Sequence, residues 1–172
     1  MKNNEPNKVL EFDMKHIRIA NNVKKYAIVG IDVFTKQTVI HVSGTCTGAA
    51  GKIAYRKVAA KFVKQATYIN DNGSENQDKA ERWLKDEGIT QLWARASTPK
   101  DKPCVKRMIE TQQRECLDYL TCSMSAAELQ SEMDTWLKKY HGYRPHEALN
   151  FLTPNEFAAN FYSHSSTDSR LS

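Results

Sequence analysis

Tyr26-Ala27-Ile28-Val29-Gly30-Ile31 is a near-continuous apolar run inside Lys25–Phe34, and a short run of this kind suits the buried centre of a sheet. Upstream, Leu10–Ile19 alternates in part and carries Phe12, Ile17 and Ile19; downstream, Gln37–Ser43 reads as a third strand. With polar turns at Ala20–Lys24 and Thr35–Lys36, the three strands are close enough in sequence to pair as an antiparallel meander.

Beyond Ser43 the period changes. Ala49–Val63 places Ile53, Val58, Ala59 and Phe62 at helical spacing. Ala66–Asn70 is a short strand, closed by the turn Asp71-Asn72-Gly73. Ser74 then caps a helix that continues through Trp83 and Leu84 and stops at Gly88. Ile89–Ala94 is a fifth strand. After a loop over Arg95–Lys102, Pro103 opens a long helix to about Leu120, and Ser125–Tyr140 forms another. The order implies an α/β protein: a mixed five-stranded sheet, three antiparallel strands followed by two crossover strands, covered by helices on both faces.

The chain has 172 residues, 25 Lys+Arg against 20 Asp+Glu, and a formal net charge of +5. At 40% hydrophobic and 26% charged it falls in the ordinary globular range, which excludes collagen-like, wholly disordered and disulfide-scaffold proteins. Its basic surplus fits either a solvated surface or attraction to a polyanion. There is no apolar run of the ~20 residues a membrane span needs and no signal peptide, so the reading is cytoplasmic with no membrane partner. Cys46, Cys104, Cys116 and Cys122 form no C-x-x-C pair, and reduced thiols are expected in place of zinc or disulfides.

Two aspartates draw attention. Asp13 lies within the first predicted strand, where a carboxylate faces solvent or has a task. Asp71 closes the fourth strand, at the end where sheets with helical crossovers bind ligands, although Asp-Asn-Gly is also a strong turn with no chemistry required. Asp32, inside the second strand, reads as a satisfied structural residue. Trp83, Trp93 and Trp136 read as core or helix anchors. Val105, Met108, Ile109, Cys116 and Leu120 form an apolar stripe, and Glu115 reads as a solvated helix residue.

Five pieces in order carry a resemblance: Phe12-Asp13; Val29-Gly30-Ile31-Asp32; Asp71-Asn72-Gly73-Ser74-Glu75; Thr98-Pro99-Lys100-Asp101-Lys102-Pro103; and Tyr143-Arg144-Pro145-His146-Glu147-Ala148-Leu149 with Thr153-Pro154. Over Leu10–Tyr162 the chain resembles the integrase catalytic core, of the DDE type, found in bacterial insertion-sequence transposases and retroviral integrases. The resemblance implies an RNase H-like fold and DNA as partner and substrate. It also implies a homodimer or higher assembly, and a carboxylate triad holding two Mg²⁺ or Mn²⁺ ions for cleavage and strand transfer. Hard oxygen ligands and paired divalent ions suit in-line attack on a phosphodiester.

The first two carboxylates map onto Asp13 and Asp71, the expected metal ligands. The third departs from the pattern, because Lys106 stands where the family has Glu. A protonated Lys cannot ligate Mg²⁺. The core is then disarmed, or Glu110, one helical turn later on the same face, substitutes, or Lys106 contacts phosphate. Lys100, Lys102 and Arg107 are expected beside Lys106 at the mouth of the site as DNA contacts. Arg144, Pro145 and His146 are expected to pack a C-terminal helical segment.

The domain reading is a disordered start at 1–9, a catalytic core at 10–122, a C-terminal helical extension at 123–163 and a disordered tail at 164–172. The family's full-length enzymes carry an upstream DNA-recognition region, so the chain reads as a core fragment or one product of a split frame. The functional expectation is a transposase or integrase core for metal-dependent DNA cleavage and strand transfer, inactive if Lys106 disarms the triad. The alternative is a non-catalytic DNA-binding or assembly protein on the same fold.

Overall fold

A computed structural model describes residues 4–19, 23–62, 66–95 and 101–168. Five strands, β1 Val9–Ile19, β2 Val23–Asp32, β3 Thr38–Ser43, β4 Thr67–Asn70 and β5 Thr90–Trp93, form one sheet in the order β3-β2-β1-β4-β5. β1–β2 and β2–β3 are antiparallel, whereas β1–β4 and β4–β5 are parallel. The five helices are α1 Gly48–Lys61, α2 Lys79–Asp86, α3 Pro103–Glu115, α4 Ala126–Gly142 and α5 Pro154–Asp168.

Strand alternation sorts the core into two layers. Leu10 and Phe12 of β1 pack with Tyr55 and Val58 of α1, Tyr68 of β4 and Leu84 of α2. Ile17, Val29, Ile31, Ile40 and Val42 face the other way, against Val105 and Met108 of α3 and Leu129, Met133 and Trp136 of α4. Gly30 pairs with Phe12 across β1–β2. A Cβ there would lie 2.6 Å from the Phe12 ring and 3.0 Å from Val58 Cγ2, so only glycine lets that ring lie flat on the strand.

The outer edge of the meander is closed by side chains. Thr38 N donates to His141 Nε2 at 2.9 Å, Val42 N to Gln130 Oε1 at 2.8 Å, Gln130 Nε2 to Ile40 O at 3.1 Å and Lys61 Nζ to Thr38 O at 3.2 Å. His141 must be neutral to accept from Thr38, and burial pushes it down to about 3.

Asp32 is the satisfied structural residue expected. It is fully buried and accepts from Thr35 N, Thr35 Oγ1 and Asn7 N. That last contact orders part of the start expected to be disordered. Asn7 takes a left-handed φ of 61° and its Nδ2 donates to Tyr162 Oη on α5. At the other end, α5 runs to Asp168, past His164 where the tail was expected to begin. A capping pair between Thr153 and Glu156 starts it, and Phe157 and Phe161 pack on Phe34. α3 is shorter than expected. It ends at Glu115, Cys116 leaves helical geometry (φ −134°, ψ −63°), and a 3₁₀ turn follows at Leu117–Tyr119. Trp83 and Trp136 join the core, but Trp93 on the end strand β5 is 42% exposed.

Candidate functional site

Parallel pairing sets the site. Glu11 of β1 lies opposite Ile69 of β4, and continuing that register by two residues brings Asp13 level with Asp71, just past the strand end. Because Leu10 and Phe12 fill the α1 layer, Glu11 and Asp13 face α3. Asn76 Nδ2 donates to Asp71 Oδ1 at 3.1 Å and to Asp71 O at 3.0 Å. Asn76 is held in turn by Tyr55 Oη, which is bonded to Asn70 Nδ2. This buried relay orients Asp71 from behind.

The two aspartates meet a lysine, and it is Lys102. Its Nζ lies 3.2 Å from Asp13 Oδ1, 3.2 Å from Asp71 Oδ2 and 2.8 Å from Phe12 O. Three N–H donors thus meet three oxygens, and the side chain is 4% exposed. Lys102 was expected to reach DNA at the mouth; burial and these three bonds remove it from that role. Lys106 Nζ sits 3.8 Å from Asp13 Oδ2, and its side chain remains 43% exposed.

Glu11 explains why Lys102 goes inward. It is buried, and its Oε2 accepts from Val105 N at 2.9 Å in the first turn of α3. Burial pushes its carboxyl up, opposed by the Val105 and Cys104 amides and by the Lys36 and Lys102 charges. That bond ties the start of α3 to β1, leaving Lys102, the residue before Pro103, directly above Asp13. On the outer side, Arg95 Nε and Nη2 grip Asp101 at 3.0 and 2.8 Å. The guanidinium lowers Asp101 to about 2.

The remaining expectations fall as follows. Lys100 lies outside the described residues. Arg107 is exposed, and it lines a neighbouring cleft together with Glu110. Glu110 therefore faces the cleft, and among the described residues no hydrogen bond or ion pair joins it to Asp13 or Asp71. Nor do three His, Cys, Asp or Glu side chains converge among the described residues in a way that could hold a metal ion. Two carboxylates neutralised by two ammonium groups, one at hydrogen-bond distance from both, do not fit a pair of divalent cations. The sequence reading missed Glu11, Asn76 and Tyr55. Glu11 alone left a signal, an acid spaced two from Asp13 in an otherwise apolar strand start.

The mixed five-stranded sheet in the order β3-β2-β1-β4-β5, covered by helices, is the RNase H-like fold of integrase catalytic cores. Residues 87–154 match the Integrase core domain family, so the resemblance read from the sequence holds. The chain is 28% identical over 158 residues to the uncharacterized 31.7 kDa protein of insertion element IS407 from Burkholderia multivorans, covering 90% of this chain and 56% of that one. It is 24% identical over 158 residues to the uncharacterized 39.2 kDa protein of insertion element IS476 from Xanthomonas euvesicatoria, covering 91% and 45%. The chain thus spans about half the length of these curated relatives. The catalytic core domain of BIV integrase matches at a TM-score of 0.70 and 14% identity, over 92% of this chain and 99% of that one. The HTLV-2 integrase catalytic core domain, solved in complex with magnesium in a trimeric form, matches at 0.68 and 14%, over 88% and 96%. A likeness at that identity establishes the fold.

Proposed function

We propose that this chain is an insertion-element integrase core that binds DNA, and assembles on it, without metal-dependent cleavage. The observation that supports the reading is Lys102 Nζ, which bonds both aspartates from a buried position. An internal ammonium satisfies the charge that a divalent ion would otherwise balance, and a dication entering beside it would meet two like charges with little water to screen them. Lys106 replaces the family's third carboxylate and adds to the repulsion. Its half-exposed ammonium, 3.8 Å from Asp13, and the exposed Arg107 guanidinium can still reach phosphate, as salt-sensitive backbone contacts. A homodimer or larger assembly on DNA follows from the same family likeness.

Titration with Mn²⁺ by calorimetry tests the reading. The unaltered chain should give no saturable heat, whereas Lys102→Gln combined with Lys106→Glu should bind, and adding Asp71→Asn should abolish that binding. In parallel, a duplex should be retained in EDTA in a salt-dependent manner, with no nicking of supercoiled plasmid in Mn²⁺. Mn²⁺ binding by the unaltered chain that is lost in Asp71→Asn would return it to the metal-dependent enzymes.

A further inference from the structure

We propose that the cleft between α3 and the loop 145–151 holds an unpaired nucleotide of single-stranded DNA, its base stacked on Phe151 and its phosphates on Arg107 and Arg114. The proposal rests on the reading that DNA is the partner; it shares Arg107 with that reading, but its cleft is a different surface from the aspartate pair.

The cleft measures about 1090 Å³, just above the range that small-molecule pockets occupy. Ile31, Met108 and Tyr140 contribute to its floor. Arg107 and Arg114 are exposed and seven residues apart on α3, which puts them on one face about 10 Å apart along the axis. Lys36 lines the same cleft, anchored by Val33 O and Cys104 Sγ. Glu110 and Glu147 also line it, so the cleft offers acceptors as well as cations. Phosphate needs only the cations, whereas a base edge presents N–H donors, thymine N3–H among them, that carboxylates can accept.

Phe151 carries the argument furthest. The loop closes on itself through His146 N to Leu152 O at 3.1 Å and Phe151 N to His146 O at 2.8 Å. Closure forces Asn150 and Phe151 into consecutive left-handed conformations, with φ of 54° and 63°. A bulky residue is disfavoured there, and such conformations persist where the surrounding structure holds them, often at sites that clamp a ligand. Here the ring is 73% exposed at the wall of a cleft that holds two arginines. An exposed aromatic beside cations two turns apart is the arrangement that takes successive bases and phosphates of a single strand. Bases within a duplex are already stacked and cannot offer their faces to the ring.

The test is fluorescence anisotropy in EDTA with a labelled oligothymidylate and a hairpin duplex of equal length. Phe151→Gly removes the ring and also relieves the left-handed backbone, so it should fold at least as well as the unaltered chain. It should weaken oligothymidylate binding roughly tenfold, as expected for loss of one stacked base, and leave duplex binding unchanged. Arg107→Ala with Arg114→Ala should weaken the single strand further and flatten its salt dependence. Equal oligothymidylate binding by the unaltered chain and Phe151→Gly would overturn the proposal, and retained duplex binding in that case would leave the proposed function standing. Loss of both DNAs in the unaltered chain would defeat both. A concentration-dependent mass in ultracentrifugation, abolished by Phe151→Gly, would assign the ring to a contact between copies and also overturn it.

Discussion

Lys102 shows how far one side chain can redirect a site. Its ammonium is the counter-ion that lets Asp13, 16% exposed, and Asp71, 47% exposed, stand side by side. Removing one partner of a fully buried ion pair costs about 3–5 kcal/mol, and the half-open Asp71 side reduces that through solvent screening. Lys102→Ala should therefore lose about 2 kcal/mol in urea denaturation. Millimolar Mg²⁺ should restore part of the loss, because a dication then finds two unpaired carboxylates, whereas the unaltered chain should show no such effect. Asp13, Asp71 and the oddity of Lys106 were legible through the resemblance to the family's motifs; the residues alone left each aspartate open to a bland reading. The sequence placed Lys102 at the mouth as a DNA contact, because a lysine before a helix ordinarily faces water. Only the path of α3 over β1 turns it inward.

At the level of elements, α3 is placed by a single strand residue. Glu11 supplies a carboxylate to amides of the first turn of α3 that otherwise have no partner inside the helix. Glu11→Gln keeps one acceptor and should cost about 1 kcal/mol, while Glu11→Leu leaves the Val105 amide buried without a partner and should cost about 2–3 kcal/mol. Hydrogen exchange should show the loss as faster exchange across residues 104–108 in preference to α4. Order of strands, parallel crossover and helix positions were legible in the sequence, because apolar periodicity and the turn residues Asp71-Asn72-Gly73 and Gly88 mark them locally. The early end of α3 was not, since no proline or glycine stands at Cys116. The order at Asn7 was not either, because it depends on a buried carboxylate 25 residues away. Nor could sequence separate the faces of α3, where Lys106 meets Asp13 and Glu110 meets the cleft.

For the whole molecule, acid should act through two half-buried histidines. Burial lowers His141 to about 3 and His146 to about 4 from an ordinary 6.5. The unfolded chain therefore binds more protons than the folded one in that interval. Stability present above pH 6.5 should be lost progressively towards pH 3. Glu11 acts in the opposite sense: with its carboxyl raised, protonation near its own range favours the folded state, so it tempers the last part of the fall. Urea midpoints measured from pH 8 to pH 4 should decline, and the decline should be shallower in His141→Gln, whose amide oxygen can still accept from Thr38 N.

The side chains of Gln130, His141 and Lys61 along β3 also set a limit on polymerisation. An incoming strand finds the amides of Thr38 and Val42 and the carbonyls of Thr38 and Ile40 already taken, so among the described residues the more open end of the sheet is the opposite one, the four residues of β5. Growth that needs two open ends finds one largely closed. Two copies meeting there, β5 against β5, would shut each other off in a twofold pair and leave nothing for a third to join.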